Sequence, residues 1–222
     1  MHKTEEAMTT VQPDNTPRQL APREGFMAEA PHLLWRVTRG ALRIDSAPQG
    51  EASRFVRLAL PGDVVGVERW AGTHDSLSQH ALIASELVPV QANGPEMMLI
   101  LMESVVVAHQ RCREVVSLRT GPAARRIQAL LLLFAHSAEA ADVPVDQAAH
   151  DVAVPNLADL SDILDVAPET VSRVFGSLRE HNFLQGRRPQ KARFSTQALR
   201  GLEIVAGMSG AIVQRKVQLA GA

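Results

Sequence analysis

Apolar residues along this chain change their spacing from region to region, and each spacing predicts a different element. Between residues 19 and 94 they fall in short runs broken by turn signals. Leu33-Leu34-Trp35-Arg36-Val37 and Ala41-Leu42-Arg43-Ile44 flank Arg39-Gly40. Arg54-Phe55-Val56-Arg57-Leu58-Ala59-Leu60 alternates and stops at Pro61-Gly62-Asp63. Val64-Val65-Gly66-Val67 follows, then a stretch from Ala81-Leu82-Ile83 to Val90. Short strands at that spacing predict a small barrel or sandwich. Residues 1–18 are polar, carry Pro13 and Pro17 and show no period, which predicts a flexible tail.

After Gly94 the period lengthens. Pro95 suits a first helical position and Glu96 the positive end of the helix dipole. A helix is predicted over 95–120. Met98, Leu101, Val105, Ala108, Cys112 and Val115 alternate spacings of three and four, a heptad seam. Leu99, Met102 and Val106 lie beside it and are expected to pack on the strand domain. One broad buried face in a monomer is the alternative. A long helix with apolar residues on two sides has two partners to satisfy, which favours dimerisation.

Gly121-Pro122 breaks that helix, and a second is predicted over Ala123 to Glu139, apolar at Ile127, Leu130, Leu131 and Phe134. Residues 140–154 read as a loop or a weak strand pair. Asn156 can then cap a helix over Leu157–Leu164, Asp165-Val166-Ala167 forms a turn, and Pro168 opens another helix. In that helix Val171, Val174, Phe175 and Leu178 fall at i, i+3, i+4 and i+7, so Glu169, Ser172 and Arg173 turn outward together. Two short helices joined by a tight turn, with polar groups opening the second, suit the DNA major groove. Gln185 to Phe194 reads as a hairpin with a basic turn, a wing. Residues 201–222 form a C-terminal extension.

The chain has 222 residues, 45% of them hydrophobic and 4% aromatic, so a real core is built chiefly from aliphatic side chains. Net charge is −1, and any basic surface is therefore local. It is found between Glu169 and Arg193, where Arg173, Arg179, Arg187, Arg188, Lys191 and Arg193 face only Glu169 and Glu180. Cys112 is the single cysteine, which excludes an intramolecular disulfide and a [4Fe–4S] cluster held by four thiolates of one chain, and fits a reducing cytoplasm. No apolar signal segment opens the sequence. The apolar stretch 96–116 carries too many charges to span a membrane.

From Leu157-Ala158-Asp159-Leu160 to Pro168-Glu169-Thr170-Val171-Ser172-Arg173-Val174-Phe175-Gly176-Ser177-Leu178-Arg179 the sequence resembles the family of the cyclic-AMP receptor protein and the fumarate–nitrate reductase regulator, the Crp/Fnr regulators. Pro61-Gly62-Asp63-Val64-Val65-Gly66 looks like that family's β-roll turn. The resemblance covers about residues 30–200 and implies an α+β fold: a cyclic-nucleotide-binding-like β-roll over 19–94, a long dimerisation helix over 95–120 and a winged helix-turn-helix over 121–200. It implies a homodimeric, cytoplasmic transcription regulator, an activator, whose partners are double-stranded DNA and RNA polymerase.

Glu169, Ser172 and Arg173 match the Glu-x-x-Ser-Arg of the fumarate–nitrate branch, whose half-site is TTGAT. Arg173 is then the donor to guanine O6 and N7, Glu169 the acceptor from a cytosine amine and Ser172 the contact to a thymine edge. Thr170, Arg187, Arg188 and Lys191 are expected on phosphates. The competing reading of Glu169 and Arg173 is an i,i+4 surface ion pair. Asp165 and Ala167 depart from the family's usual Gly and Ser/Thr. Asp tolerates the left-handed conformation, and the missing cap costs about 1 kcal/mol.

The effector is not identified by the residues, and no cofactor is assigned. Gly66-Val67-Glu68 is one residue out of step with the family's ribose-binding pair, and Asp75 to His80 lacks the phosphate-binding Arg, so cyclic AMP is not expected. The iron–sulfur cysteines are missing. Haem-binding members exist, but the eight histidines, among them His74, His80 and His109, show no i,i+4 metal pair. Cys112 reads as a small apolar residue or as a redox switch. A constitutive DNA-binding factor with a vestigial sensor is the alternative, and a protein-interaction module is a third reading. No catalytic motif or metal site is found, and an enzyme is not expected.

Overall fold

In a computed structural model the structure describes residues 16–27, 33–46, 52–70, 77–139, 150–184, 191–194, 196–200, 203–204 and 212–213. The first half carries β1 (Arg18–Leu20), β2 (Gly25–Phe26), β3 (Trp35–Arg39), β4 (Leu42–Ser46), β5 (Arg54–Ala59), β6 (Val64–Val65), the short α1 (Val67–Trp70), β7 (Leu77–Ala81) and β8 (Ser85–Pro89). The strands form two antiparallel four-stranded sheets, ordered β1-β8-β3-β6 and β2-β7-β4-β5. Leu20, Trp35, Val37, Val65 and Leu87 of the first sheet meet Phe26, Leu42, Ile44, Ala59 and Ala81 of the second in one buried cluster. This is the expected roll.

Tight turns hold the roll together. Gly40 has φ +86°, and a Cβ there would lie 2.3 Å from Ser85 Oγ and 2.5 Å from the Ala84 carbonyl. Only glycine fits such a position. The Ser85 hydroxyl uses the space, accepting from the Ala41 amide at 3.1 Å.

The second sheet has apolar partners on both faces. Residues opposite one another across neighbouring strands share a face. Ile44 lies opposite Arg57 and Gln79, inside the roll, while Arg43 lies opposite Leu58 and His80, on the outside. That outside face is covered by helices, so Arg43 and Asp45 are buried although they point away from the roll.

The helices begin with α2 (Pro95–Leu118) and α3 (Ala123–Glu139). Gly94, at φ 56°, leads into Pro95, and Gly121, at φ 88°, separates the two helices. The first helix thus stops at Leu118, two residues short of expectation. Its inner face carries Ser104, Val115 and Leu118, all buried, and packs chiefly on β5. On its outer face Met98, Leu99, Met102, Val105, Val106 and Val116 are 57–67% exposed.

The exposed apolar side of α2 is therefore rotated by about one residue from the expected seam. Met98 and Val105 are exposed as expected, Leu101, Ala108 and Cys112 are half-buried, and Val115 belongs to the core. Leu99, Met102 and Val106, expected on the strand domain, face away from it. The reason lies in what the roll presents to the helix. Asp63 is buried at the β5–β6 turn and takes the Arg111 guanidinium in a two-pronged ion pair, which fixes which side of α2 turns inward.

Beyond α3 come β9 (His150–Ala153), α4 (Leu157–Leu164), α5 (Pro168–Glu180), β10 (Lys191–Phe194), α6 (Thr196–Arg200), β11 (Glu203–Ile204) and β12 (Ile212–Val213). The hairpin expected over 185–194 is only partly within the described residues, since 185–190 lie outside them. The described partner of β10 is β9, some forty residues earlier, with Phe194 opposite His150. One continuous apolar cluster joins Phe55 and Leu58 of the roll to Leu118, Phe134, Ile163 and Phe175. Among the described residues no helix is long and apolar enough to cross a membrane.

Candidate nucleic-acid interface

Local chemistry fixes the α4–α5 pair closely. Asn156 takes an extended conformation, and its side-chain oxygen accepts from the Asp159 amide at 3.0 Å, capping α4. Asp165 adopts the left-handed conformation (φ 51°, ψ 55°) and ends it. The turn is closed by the Val166 amide donating to the Ser161 carbonyl at 3.0 Å. Ala167 gives α5 no side-chain cap, and Pro168 stands in its first turn.

Helix α5 buries Val171, Val174, Phe175 and Leu178 against α3 and α4. Glu169, Ser172 and Arg173 are exposed, and with Leu157 and Pro168 they line one shallow depression. Among the described residues no ion pair ties Glu169 to Arg173. The carboxylate, the hydroxyl and the guanidinium thus stand on one side of one helix, each able to meet an external partner.

Thr170, in the first turn of the same helix, is half-buried. Arg187 and Arg188 lie outside the described residues. For Lys191 only the strand position, opposite Ala153, is described.

No family model matches the chain, and no curated protein matches it. Solved structures do. A transcriptional regulator of the CRP family from Thermus thermophilus is similar at 21% identity and a TM-score of 0.65 over 82% of this chain and 94% of that one. FixK2 from Bradyrhizobium japonicum is similar at 20% identity and a TM-score of 0.63 over 86% and 98%. A CRP/FNR-family regulator, also from Thermus thermophilus, is similar at 18% identity and 0.61 over 83% and 96%. The fold is that of the Crp/Fnr regulators.

Within this Crp/Fnr fold the roll interior holds charge. Arg57, 3% exposed, points inward and donates to Glu68 at 2.6 Å. Glu68 is thereby engaged from within the chain. Among the described residues Trp35 Nε1 and Gln79 Oε1 are buried without a hydrogen-bond partner. Among the described residues no three metal-ligating side chains gather. His80 faces the outside of the roll, its Nδ1 3.6 Å from Asp45, and His109 is exposed on α2. His74 lies outside the described residues.

A set of arginines missed by pattern reading binds α4 to the rest of the Crp/Fnr fold. Helices end on carbonyls without intrahelical donors, which must be satisfied from elsewhere. Arg119 Nε donates to the Ile163 carbonyl at 3.1 Å and its Nη2 to the Asp162 carbonyl at 3.0 Å. Arg126 Nη1 donates to the Leu164 carbonyl at 3.1 Å. Arg43 reaches Asp162 from β4. Burial opposes the Arg43 charge, but hydrogen bonds and attraction from Asp45 and Asp162 outweigh it and hold the guanidinium's pKa above its ordinary value. In sequence these residues look like ordinary surface charges; the one signal was that Arg43 and Arg57 interrupt apolar strands.

Proposed function

We propose that the chain is a sequence-specific DNA-binding transcription regulator that acts as a homodimer and reads an inverted repeat of TTGAT-like half-sites. The observation that carries this is the joint outward placement of Glu169, Ser172 and Arg173 at the start of α5. Arg173 donates to guanine O6 and N7, Glu169 accepts from the cytosine N4 amine of the other strand, and Ser172 meets a thymine. Thr170, Arg187, Arg188 and Lys191 serve the phosphates, which supply affinity but little sequence information.

The partner for the exposed α2 face is a second copy of the chain. Met98, Met102, Val105 and Val116 recur along it at heptad spacing, with half-buried Cys112 in the same register. A twofold pair of α5 helices then meets successive major grooves, with half-site centres about 34–36 Å apart. The protein is cytoplasmic, contacts RNA polymerase, catalyses no reaction and answers to an effector other than cyclic AMP, a reading supported by Glu68 accepting a hydrogen bond from Arg57 of the same chain.

Selection of bound sequences from random duplex DNA tests the reading. An inverted repeat with TTGAT-like halves is the expected product. Arg173→Ala should weaken binding to it by about 1–3 kcal/mol. Equal binding by mutant and wild type in a gel-shift titration would remove Arg173 from base reading.

A further inference from the structure

Arg43 is placed to control how the DNA-reading helix is held. Its guanidinium has two kinds of partner. On the sheet side Nε donates to Asp45 Oδ1 at 2.7 Å, with both side chains under 10% exposed. On the α4 side Nη2 donates to Asp162, whose side chain is 55% exposed, and Nη1 lies 3.6 Å from Asp159. The Phe55 ring carries the group: Arg43 lies over it at 5.5 Å, and Arg119, which holds the carbonyl end of α4, lies over the same ring at 5.5 Å. Phe55 of the roll is therefore flanked by two cations that both grip α4.

We propose that Arg43 is a positioning residue for DNA reading, an electrostatic latch that fixes the angle of the α4–α5 pair on the roll and so the spacing of half-sites a dimer accepts. This rests on the DNA-reading proposal above. The two ends of the latch differ in strength. Asp45 is desolvated, and losing its cation there is strongly unfavourable, so Arg43 stays charged and seated. The Asp162 pair is open to water, and such pairs are weak and screened by salt. The helical end therefore releases first.

Placement on α4 supports the role. At 100° per residue Asp159 and Asp162 lie on the opposite side of the helix from Leu157 and Ser161. Leu157 lines the depression with Glu169, Ser172 and Arg173. The latch thus grips α4 from behind and leaves the reading side clear. Among the described residues His80 also faces Asp45, its Nδ1 3.6 Å away.

The test compares the full-length wild type with Arg43→Met and with Asp162→Asn, which leaves the Arg43–Asp45 pair intact and touches a half-exposed side chain. Gel-shift titrations use a single half-site and inverted repeats with spacers altered by one and two base pairs. Amide hydrogen exchange is followed across α4 without DNA. Wild type should prefer one spacer by about tenfold or more, both variants should reduce that preference to about threefold, and half-site affinity should stay within about twofold. In Asp162→Asn, which keeps the buried Arg43–Asp45 pair, exchange in α4 should quicken while the roll strands stay protected. A merely destabilised fold would weaken all duplexes together.

Unchanged spacer preference in both variants overturns the latch. If wild type shows no sequence preference at all, the DNA reading fails by itself, and unaltered α4 exchange in Asp162→Asn then overturns the latch independently.

Discussion

Arg111 Nε lies 2.8 Å from Asp63 Oδ2, and Arg111 Nη2 lies 3.1 Å from Asp63 Oδ1, so one side chain from the middle of α2 clamps both oxygens of a buried carboxylate in the roll. Asp63 also accepts from the Leu60 amide at 3.0 Å, closing the turn. Arg111 Nη1 donates in addition to Glu114. Burial opposes the Arg111 charge, but hydrogen bonds and attraction from Asp63 and Glu114 outweigh it and raise the guanidinium's pKa. The pair sets the rotation of α2 about its axis.

Breaking that clamp should be costly. Arg111→Met leaves Asp63, 5% exposed, without its cation, and should reduce unfolding free energy by about 3 kcal/mol. Asp63→Asn with Arg111→Met should lose less than the two single changes added, because both act on one interaction. Denaturant titration at neutral pH reads both. A loss below about 1 kcal/mol for Arg111→Met would show that the rotation of α2 is fixed by something else.

The exposed face of α2 yields a test of association. Met102→Glu and Val105→Glu place charges where 63% and 57% exposed apolar side chains face outward. In the proposed dimer such a charge would be buried unpaired, so the expected outcome is a wild type that sediments as a dimer and variants that dissociate at the same concentration. Val115→Ala, in contrast, removes core volume and should lower the melting temperature without changing sedimentation. Dimers that survive both Glu substitutions would remove this face from the interface.

In the proposed reading of DNA, Glu169 is the specificity partner of Arg173. Glu169→Ala should relax the requirement for cytosine at the position it reads, with discrimination there falling by about 1–3 kcal/mol and other positions little affected. Repeating the random-duplex selection with the variant measures it. An unaltered consensus would place Glu169 outside base reading.

Asp165 stands where the chain turns through the left-handed region. Asp165→Gly should hold or raise stability by up to about 1 kcal/mol, and Asp165→Val should lower it, because a β-branched residue disfavours that conformation most. Thermal unfolding of the pair settles the sign. A more stable Val variant would mean the turn rearranges.

Local chemistry made much of this protein legible in its sequence. The Asn156 cap, the Asp165 turn, Pro168 at the opening of α5 and the i, i+3, i+4, i+7 burial of Val171, Val174, Phe175 and Leu178 depend only on neighbours within a few turns. So does the outward set Glu169, Ser172 and Arg173. The alternation of β4 and β5 likewise marked a roll. Tertiary structure decided what depends on distant partners. Pairing of β10 with β9 joins segments some forty residues apart. Apolar residues surround α2 on two sides, so periodicity put Leu99, Met102 and Val106 on the roll, whereas the structure turns them outward and sets Arg111 against the buried Asp63. Arg43 and Asp162, separated by 119 positions, carry no local pattern at all. Their meeting exists only because the outer face of the second sheet is roofed by helices, and a buried cation must find carboxylates wherever the fold brings them.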